Sequence, residues 1–396
     1  MKKIVILGST GSIGVNALKV ISKLGSDYRL LGISAHSNVK SFLRQVHKFK
    51  PKYVAIFDFD AHVALKKLLP KNIKLLAPGI EGLCEMSSLA EADIILNAVS
   101  GAVGFAPLLA SIRASKHIAL ANKEPMVMAG ENIMKEAFRW KANIIPVDSE
   151  PSAIFQCLQN FNGAKYDDVI SRIFLTASGG MFYKYKFSLE KITPAMALKH
   201  PTWNMGAKIT IDSSTLMNKG LEAIEIKNFF AVSLKKINIM VHPQSIIHSA
   251  VELKDKSVLA QMSLPDMKLP IQYAITYPER RVCPVKPMDF FKVARLDFIK
   301  ADFKKFPCLE LAFDSARKGG SYPCVLNAAN EIAVESFLKG KIGFCDIPRV
   351  IAKTLSLHRP ISSVVPSFSD ISEIDEWARV KTQEVIRNKK VKIFAK

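Results

Sequence analysis

The feature that most constrains the fold is a short strand pattern that runs directly into a glycine-rich turn and then into a helical pattern. The run KIVIL at residues 3–7 is followed at once by GSTGSIG at residues 8–14. Glycines let the chain turn tightly and let a pyrophosphate approach the backbone at the helix N-terminus. The spacing is G-x-x-G-x-x-G rather than the commoner G-x-G-x-x-G. This context predicts a dinucleotide site; the alternative is a tight turn in a sheet that binds no nucleotide.

Short strand patterns alternate with amphipathic helical patterns over the first 148 residues. Such alternation predicts an α/β fold with a Rossmann-like, doubly wound parallel sheet. The predicted strands lie at 3–7, 29–34, 53–57, 73–76, 93–99, 117–121 and 143–148. Helical patterns between them include 12–24, 60–69, 105–115 and 130–140.

The remainder of the chain changes character twice. Residues 149–285 mix helices with a run of strands, which predicts a central α+β catalytic domain with one mixed or antiparallel sheet. Residues 286–303 show little periodicity and are predicted to be a linker. Residues 304–396 are predicted to form a C-terminal helical domain, after an N-terminal dinucleotide-binding domain at 1–148. The predicted strands of the central domain are 169–176, 237–242, 245–253 and 257–262, and the predicted C-terminal helices are 307–318, 323–338, 346–357 and 370–388.

The net charge of +21 is compatible with a nucleic-acid binder or with an enzyme for anionic substrates. The basic residues are spread along the chain, and no basic helix is interleaved with aromatic residues, so we expect no nucleic-acid partner. The six cysteines show no C-x-x-C spacing, which favours reduced thiols and a cytoplasmic location. Glycine and proline interrupt the longest uncharged stretch, residues 94–112, so we expect no membrane span. A predicted strand starts at residue 3, so we expect no signal peptide.

The end of the second predicted strand bears on the choice of dinucleotide. A NAD site usually places Asp or Glu there to bind the ribose 2′-hydroxyl. The sequence ISAHSNVK at residues 33–40 has no carboxylate. The residues that could host a 2′-phosphate instead are His36, Ser37, Asn38, Lys40 and Arg44. NADP is therefore favoured.

Two carboxylates follow the last predicted strand of the first domain, in PVDSEPS at residues 146–152. In extended backbone, positions i and i+2 point to the same side, so Asp148 and Glu150 would project together. Two such anions repel each other unless a cation or a proton lies between them. The alternative is a helix start with Ser149 as N-cap and Pro151 in the first turn. The stretch alone leaves both interpretations open.

Three further polar stretches are candidates for ligand binding. LANKE at 120–124 follows a strand, and TASGG at 176–180 could form an anion-binding nest of backbone amides. In DSSTLMNKGLE at 212–222, a helix that begins near Ser214 would place its N-terminal serines toward a phosphate. Asn218 and Lys219 would then share one helix face with the carboxylate four and three residues later. Each stretch alone is also compatible with capping serines, a surface ion pair or a glycine turn.

Eight stretches together resemble the 1-deoxy-D-xylulose 5-phosphate reductoisomerase family, in its order and spacing and over essentially the whole chain. They are GSTGSIG, LANKE, PVDSE, TASGG, HPTWNMG at 200–206, DSSTLMNKGLE, HPQSIIHS at 242–249 and LNAANE at 326–331. The resemblance implies conversion of 1-deoxy-D-xylulose 5-phosphate to 2-C-methyl-D-erythritol 4-phosphate, the committed step of non-mevalonate isoprenoid synthesis. It further implies NADPH, a divalent cation (Mn²⁺, Mg²⁺ or Co²⁺), a homodimer, and a retro-aldol/aldol rearrangement followed by hydride transfer.

The resemblance also assigns roles to individual residues. The implied metal ligands are Asp148, Glu150 and Glu222. The implied substrate-binding residues are Lys123, Ser149, Glu150, Ser178, His200, Ser213, Asn218, Lys219 and Glu222. His200 and Trp203 are implied to lie on a mobile flap. The implied catalytic residues are these two, Lys123 and the three metal ligands. The implied cofactor contacts are Thr10, Gly11, Ser12, Ile13, His36, Ser37, Asn38, Asn122, Glu124 and Gly206. His242 and His248 are expected to be structural or to support the site.

Four positions depart from the family pattern. His36 and Ser37 stand where glycine followed by Arg or Lys is usual, Pro125 follows LANKE, and Ser263 stands where glycine is common. Two other functions are kept as alternatives: an NADP-dependent dehydrogenase of a phosphorylated or acidic substrate without rearrangement, and a basic scaffold or nucleic-acid protein. The three-carboxylate set separates the first from the family activity, because hydride transfer alone needs no metal.

Overall fold

The computed structural model describes residues 1–161, 163–185, 188–199, 203, 205–360 and 366–393, with side chains up to residue 388. Contacts divide the chain into two compact units. The first unit comprises Met1–Pro125, Ile133–Ser152 and Asp266–Pro287. The second unit comprises the described residues of Met126–Asn132, Ala153–Pro265 and Met288–Lys396.

The first part of the chain alternates strands and helices, as predicted. The strands are β1 (Lys2–Leu7), β2 (Tyr28–Ala35), β3 (Tyr53–Ile56), β4 (Lys74–Leu75), β5 (Ile94–Asn97), β6 (His117–Leu120) and β7 (Asn143–Pro146). The helices are α1 (Ser12–Ile21), α2 (Val39–Phe49), α3 (Phe59–Lys66), α4 (Gly79–Ser88), α5 (Phe105–Arg113), α6 (Glu124–Arg139) and α7 (Ser149–Cys157).

The strands of the first unit form one parallel sheet in the order β4-β3-β2-β1-β5-β6-β7. β1 lies at the centre, where Ile6 pairs with Ile33 on one side and with Leu96 on the other. Its residues 4–7 are fully buried, because helices cover both faces of a parallel sheet and each face needs apolar side chains. The strand order reverses between β1 and β5, and ligands bind beyond the carboxyl ends of the strands at such a point. The α/β, Rossmann-like class is confirmed.

The second part of the chain begins with short helices around a new strand. The helices up to residue 230 are α8 (Tyr166–Val169), α9 (Pro194–Ala197), α10 (Ala207–Ser214) and α11 (Met217–Phe230). The strands are β8 (Ile170–Ala177), β9 (Ile237–Val241), β10 (Ile247–Leu253), β11 (Val258–Met262) and β12 (Ile299–Lys300). They form a mixed sheet in the order β11-β10-β8-β9-β12, in which only β8 and β9 pair in parallel.

The remaining helices are α12 (Lys268–Thr276), α13 (Phe290–Val293), α14 (Pro307–Lys318), α15 (Tyr322–Leu338), α16 (Asp346–Leu357) and α17 (Phe368–Ile393). The C-terminal helical segment is thereby confirmed. α14 packs against α11, and α15 packs against α16 and α17. None of the helices within the described residues combines the length and the apolar character that a membrane crossing would require.

The contacts group the chain differently from the four-part domain division, which stays a prediction. α12 packs against α1, β6 and β7, so it belongs to the first unit. The C-terminal helices share a unit with the second sheet. The predicted linker at 286–303 contains α13 and also β12, which pairs antiparallel with β9. A strand of two residues gives too short a pattern to be recognised in a sequence.

Candidate functional site

The glycine turn after β1 is compact because two of its glycines leave no room for a side chain. Gly8 has a φ of +83°, and a Cβ there would lie 2.6 Å from the carbonyl oxygen of Ala98. A Cβ at Gly14 would collide with the carbonyl oxygen of Gly8 and with Ser9. α1 therefore begins directly against the turn, with Gly11 as its N-cap. This places helix N-terminal amides where a pyrophosphate would bind.

Side chains from β2 and α2 fix the turn. The Ser9 hydroxyl donates to Gln45 Oε1 at 2.7 Å, and Gln45 Nε2 donates back to the Ser9 carbonyl at 2.9 Å. The Ser9 amide donates to the Ser34 carbonyl at 2.7 Å, and the Gly8 amide donates to Ser34 Oγ at 3.1 Å. The role of Gln45 could not be predicted from the sequence, because this residue lies within a helix 36 residues from Ser9 and no local pattern marks it.

Gly14→Ala should weaken dinucleotide binding strongly, because the added methyl group forces α1 away from the turn. Overpacking of this kind costs about 1–3 kcal/mol, or roughly five- to a hundredfold in a dissociation constant if the cost falls on the bound geometry. Fluorescence titration with NADPH measures this change. Gly343→Ala is the matched control, since the nearest atom to its added Cβ is Asp346 Oδ2 at 3.5 Å. Equal NADPH affinity in both variants would contradict the role assigned to the turn.

The predicted ribose-contacting residues follow β2 at the same sheet edge. The His36 ring stacks on Phe57, with centroids 5.3 Å apart, and its Nδ1 lies 3.2 Å from Ser37 Oγ. Asn38 caps α2 by accepting from the Ser41 amide at 3.0 Å. His36, Ser37 and Asn38 are exposed and stay available to a ligand. The predicted alternatives Lys40 and Arg44 are also exposed, on the first turns of α2.

The LANKE stretch follows β6, and its polar residues are buried. Asn122 Nδ2 donates to the carbonyl of Val99 and, at 3.0 Å, to that of Gly101. The Asn122 side chain thus ties the end of β6 to the loop after β5. Glu124 is the first residue of α6, and Pro125 occupies a first-turn position that needs no backbone donor.

Lys123 and the PVDSE carboxylates form a charged cluster at the ends of β6 and β7. Lys123 is buried, and its Nζ lies 2.5 Å from Asp148 Oδ2. The Ser149 hydroxyl donates to Glu150 Oε2 at 2.5 Å, and the Ser149 amide donates to Asp148 Oδ1 at 3.1 Å. α7 begins at Ser149, so this stretch is a helix start with Pro151 in the first turn. Ser149 is the first helical residue rather than the N-cap, and Glu150 is helical rather than extended.

The TASGG stretch after β8 forms a tight turn with two positive φ angles, at Gly179 and Gly180. The Gly180 amide donates to Ser178 Oγ at 3.3 Å. A Cβ at Gly180 would lie 2.5 Å from the Ser213 carbonyl oxygen, so the turn packs directly on the end of α10. Ser178 and Ser213, which the family resemblance assigns to the phosphate, thus lie on neighbouring segments.

One expectation about this region is wrong. Ser213 and Ser214 do not open the helix that carries Glu222; they end α10, and α11 begins only at Met217. Leu216 between them has a φ of +57°, a left-handed conformation that breaks the helix and that leucine rarely adopts. An apolar residue in this conformation gives no sequence signal, so the break could not be predicted.

The predicted face of α11 is present as expected. Glu222 is fully buried, and both its oxygens are held: Asn218 Nδ2 donates to Oε1 and Lys219 Nζ to Oε2, each at 2.5 Å. Burying a carboxylate is costly unless donors compensate its charge. The amide and the ammonium at i−4 and i−3 supply that compensation. The same turn of α11 thus brings a carboxylate, an ammonium and an amide together.

The flap residues are described only in part. His200 lies outside the described residues. The Trp203 ring lies 6.3 Å from the His248 ring, and Gly206 is the exposed N-cap of α10. His248 Nε2 lies 2.8 Å from Ser263 Oγ, so the serine found in place of the family's glycine contacts this histidine.

His242 is fully buried and is engaged at both ring nitrogens. Its Nδ1 lies 2.9 Å from the Asp297 carbonyl oxygen, and its Nε2 accepts from the Ile246 amide at 3.1 Å. A neutral imidazole with the proton on Nδ1 satisfies both bonds. These contacts support the structural role expected for His242.

Three carboxylates offer the type of ligand that a divalent cation prefers. Asp148 and Glu150 in the first unit and Glu222 in the second offer carboxylate oxygens, which Mg²⁺ and Mn²⁺ prefer. Each carboxylate now contacts a donor: Asp148 the Lys123 ammonium, Glu150 the Ser149 hydroxyl, and Glu222 Lys219. The cysteines are present as thiols, and burial raises the pKa of Cys308 and Cys324, so neither favours a thiolate metal site.

Three family models match the chain. The model described as 1-deoxy-D-xylulose 5-phosphate reductoisomerase matches residues 4–130. The model of the 1-deoxy-D-xylulose 5-phosphate reductoisomerase C-terminal domain matches residues 144–230. A third, described as DXP reductoisomerase C-terminal domain, matches residues 262–381.

Whole-chain relatives agree with these models. The chain is 56% identical over 392 residues to a 1-deoxy-D-xylulose 5-phosphate reductoisomerase of Elusimicrobium minutum, covering 99% of both chains. It is 48% identical to the enzyme of that name from Endomicrobium trichonymphae, covering 98% of this chain and 99% of the relative.

Two solved structures share the fold over nearly the full length. The reductoisomerase of Zymomonas mobilis in complex with NADPH is 39% identical, with a TM-score of 0.88 over 97% of this chain and 99% of that one. A DOX-P reductoisomerase in complex with NADPH, fosmidomycin and magnesium is 36% identical, with a TM-score of 0.91 over 98% and 99% of the two chains. The chain therefore belongs to the 1-deoxy-D-xylulose 5-phosphate reductoisomerase family.

Proposed function

We propose that this protein converts 1-deoxy-D-xylulose 5-phosphate to 2-C-methyl-D-erythritol 4-phosphate, with NADPH and a divalent cation. The observation that carries the proposal is the Lys123–Asp148–Ser149–Glu150 cluster, placed at the same sheet edge as a glycine turn built for a dinucleotide. A dehydrogenase without rearrangement would need the turn but not the carboxylates. The relatives that carry this enzyme name, and the solved relatives with NADPH and magnesium, support the same activity.

Asp148, Glu150 and Glu222 are the proposed metal ligands. A bound divalent cation would polarise the carbonyl and the adjacent hydroxyl of the substrate for carbon–carbon cleavage and re-formation, while NADPH supplies the hydride. Lys123 holds the Asp148 carboxylate through a 2.5 Å ion pair and is a proposed substrate contact together with Ser149. Lys123 is buried and Asp148 is half-buried, so the ion pair restricts both side chains before the substrate arrives.

The phosphate of the substrate is proposed to bind in the second unit, to Ser178, Ser213, Asn218 and Lys219. Hydroxyl, amide and ammonium donors suit an anion, and charge-assisted contacts are the strong ones among them. Trp203 and His200 are proposed to cover the substrate and exclude water. The proposed cofactor contacts are Thr10, Gly11, Ser12, Ile13, His36, Ser37, Asn38, Asn122, Glu124 and Gly206.

Product analysis separates the proposed reaction from the dehydrogenase alternative, since both oxidise NADPH. Rearrangement gives a branched carbon skeleton, whereas simple reduction of the ketone leaves an unbranched one. We expect carbon NMR of the product from ¹³C-labelled 1-deoxy-D-xylulose 5-phosphate to show the branched skeleton. An unbranched product would establish the dehydrogenase instead.

Cofactor selectivity should be sharpened by Ser37→Arg. NADPH differs from NADH by one phosphate, which a guanidinium binds through two parallel hydrogen bonds and a serine cannot. One charge-assisted contact contributes roughly 1.5–3 kcal/mol, so the NADPH/NADH ratio of kcat/KM should rise by about ten- to a hundredfold. Steady-state kinetics with both cofactors measures this ratio.

Ser26→Arg is the matched control for this variant. Ser26 is also exposed, but it precedes β2 and so lies at the opposite edge of the same sheet. The control adds the same charge and should leave the ratio unchanged. The wild-type NADPH/NADH ratio of kcat/KM could instead be high already and stay unchanged in Ser37→Arg. In that case other residues, such as Lys40 or Arg44, bind the 2′-phosphate.

A homodimer is proposed from the edge of the second sheet. β11 is an edge strand, and its residues Val258 and Leu259 are 53% and 37% exposed. Exposed apolar edge strands tend to pair with another chain, and a second copy would cover them. Sedimentation velocity should show a dimer that Val258→Glu weakens. Val380→Glu, at a helix position with 52% exposure, is the control, and a monomeric wild type would contradict the proposal.

We also propose that the protein works in the cytoplasm. The six cysteines are present as thiols, as expected in a reducing compartment. Fractionation of the source cells, with this protein followed by antibody, tests the location.

A further inference from the structure

The LNAANE stretch in α15 contains two fully buried asparagines, Asn327 and Asn330. A buried side-chain amide is normally held by hydrogen bonds, so each should have an identifiable partner. Asn327 Nδ2 donates to Glu331 Oε1 at 3.1 Å, one turn further along the same helix. Asn330 Nδ2 donates to Asp212 Oδ1 at 2.8 Å, across 118 residues of sequence. Only the second of these two bonds joins α15 to another helix.

Asp212 lies in the last turn of α10 and is 1% exposed. Its second oxygen, Oδ2, lies 2.8 Å from Lys208 Nζ, one turn earlier in α10. The two carboxylate oxygens therefore contact different helices: Oδ1 contacts α15 and Oδ2 contacts α10 itself. A hydrogen bond at one oxygen and an ion pair at the other restrict the position of this buried carboxylate.

The position of Asp212 matters because Ser213 is the next residue. α10 ends at Ser214, and the left-handed conformation of Leu216 then changes the direction of the chain before α11 begins. Final helix turns lack some of their backbone hydrogen bonds and fray unless other contacts hold them. On one side the Gly180 turn packs against the Ser213 carbonyl. On the other side the Asp212–Asn330 bond ties the same turn to α15.

We propose that Asn330 is a positioning residue for the substrate phosphate: by holding Asp212, it fixes the last turn of α10 and hence the Ser213 hydroxyl. Asn330 itself does not contact the substrate. This inference rests on the phosphate-binding role proposed above for Ser213. None of the proposed metal, phosphate and cofactor contacts lies in the LNAANE stretch. The inference gives this stretch a function.

Asn330→Ala should raise the KM for 1-deoxy-D-xylulose 5-phosphate by about tenfold, the usual size of a lost hydrogen bond to a charged group. The dissociation constant of NADPH should stay within about twofold, because the nucleotide turn lies in the other unit and Asn330 holds the last turn of α10, not the first turn beside Gly206. Asn327→Ala is the matched control: it removes an equally buried amide from the same stretch but no bond to Asp212. Both variants should lose thermal stability, and only Asn330→Ala should change KM. Equal KM values in the two variants would overturn the inference.

Ser213→Ala and the Asn330→Ala/Ser213→Ala double variant separate this inference from the role of Ser213. If Ser213→Ala leaves KM unchanged, the phosphate role of Ser213 fails first. If Ser213→Ala raises KM and Asn330→Ala raises it no further in the double variant, Asn330 acts through Ser213. Independent, multiplicative effects would overturn that route.

Asp212→Asn keeps the side-chain shape and serves where Asn330→Ala does not fold. It replaces the charge-assisted bonds of Asp212 with weaker neutral ones, so KM should rise in the same direction by a smaller factor. An unchanged KM in this folded variant would overturn the inference.

Discussion

Glu150→Gln should abolish turnover while the protein stays folded and binds NADPH. The carboxylate is half-buried beside Asp148 at the start of α7, where it can offer an anionic oxygen to a divalent cation. A neutral amide is a poorer ligand for a hard cation, and the metal contributes several kcal/mol of transition-state stabilisation. A loss of about 4 kcal/mol corresponds to roughly a thousandfold in kcat. Steady-state kinetics at saturating Mn²⁺ measures the loss.

Glu85→Gln is the control for that variant. Glu85 forms an exposed ion pair with Lys74, at 3.5 Å, in the same unit. Exposed pairs of this kind contribute little, so kcat and stability should both be close to wild type. A Glu150→Gln enzyme that turns over as fast as Glu85→Gln would remove Glu150 from the metal site.

Lys219→Ala should chiefly weaken substrate binding. Its ammonium is buried and bonded to Glu222, and it is one of the proposed phosphate contacts. Deleting a charge-assisted contact costs roughly 1.5–3 kcal/mol, which corresponds to about a ten- to hundredfold rise in KM for the phosphorylated substrate. Stability should fall too, because the fully buried Glu222 then loses the ammonium that compensates its charge.

The stability loss has to be separated from the binding loss. Kinetics should therefore be measured well below the melting temperature of the variant, with Lys227→Ala as a control two turns further along α11. Lys227→Ala should leave KM unchanged. If Lys219→Ala lowers the melting temperature but leaves KM at the wild-type value, Lys219 is structural and the phosphate binds elsewhere.

Local patterns were sufficient for most of the fold. β1, its glycine turn and α1 lie where the sequence places them, because the strand must be apolar on both faces and the turn must lack side chains. The face of α11 that carries Asn218, Lys219 and Glu222 was also predictable, since the i, i+3 and i, i+4 spacings depend only on helix geometry.

Contacts between distant parts of the chain were not predictable. Gln45 binds Ser9 and Asn330 binds Asp212 through hydrogen bonds that span 36 and 118 residues of sequence. Glutamine and asparagine are common in helices, so nothing in the sequence marks these two as special. The helix break at Leu216 was not predicted for another reason: tertiary packing holds leucine in a left-handed conformation that this residue type disfavours. Family resemblance supplied the roles of the metal and phosphate residues, which no spacing in the chain could specify.

The most direct test of the proposed activity is NADPH oxidation by the chelator-treated enzyme with 1-deoxy-D-xylulose 5-phosphate, before and after Mn²⁺ is added back. We expect no oxidation without the metal or without the substrate, and full activity when both are present. Substrate-dependent NADPH oxidation that persists at the same rate after complete metal removal would contradict a metal-dependent rearrangement at Asp148, Glu150 and Glu222.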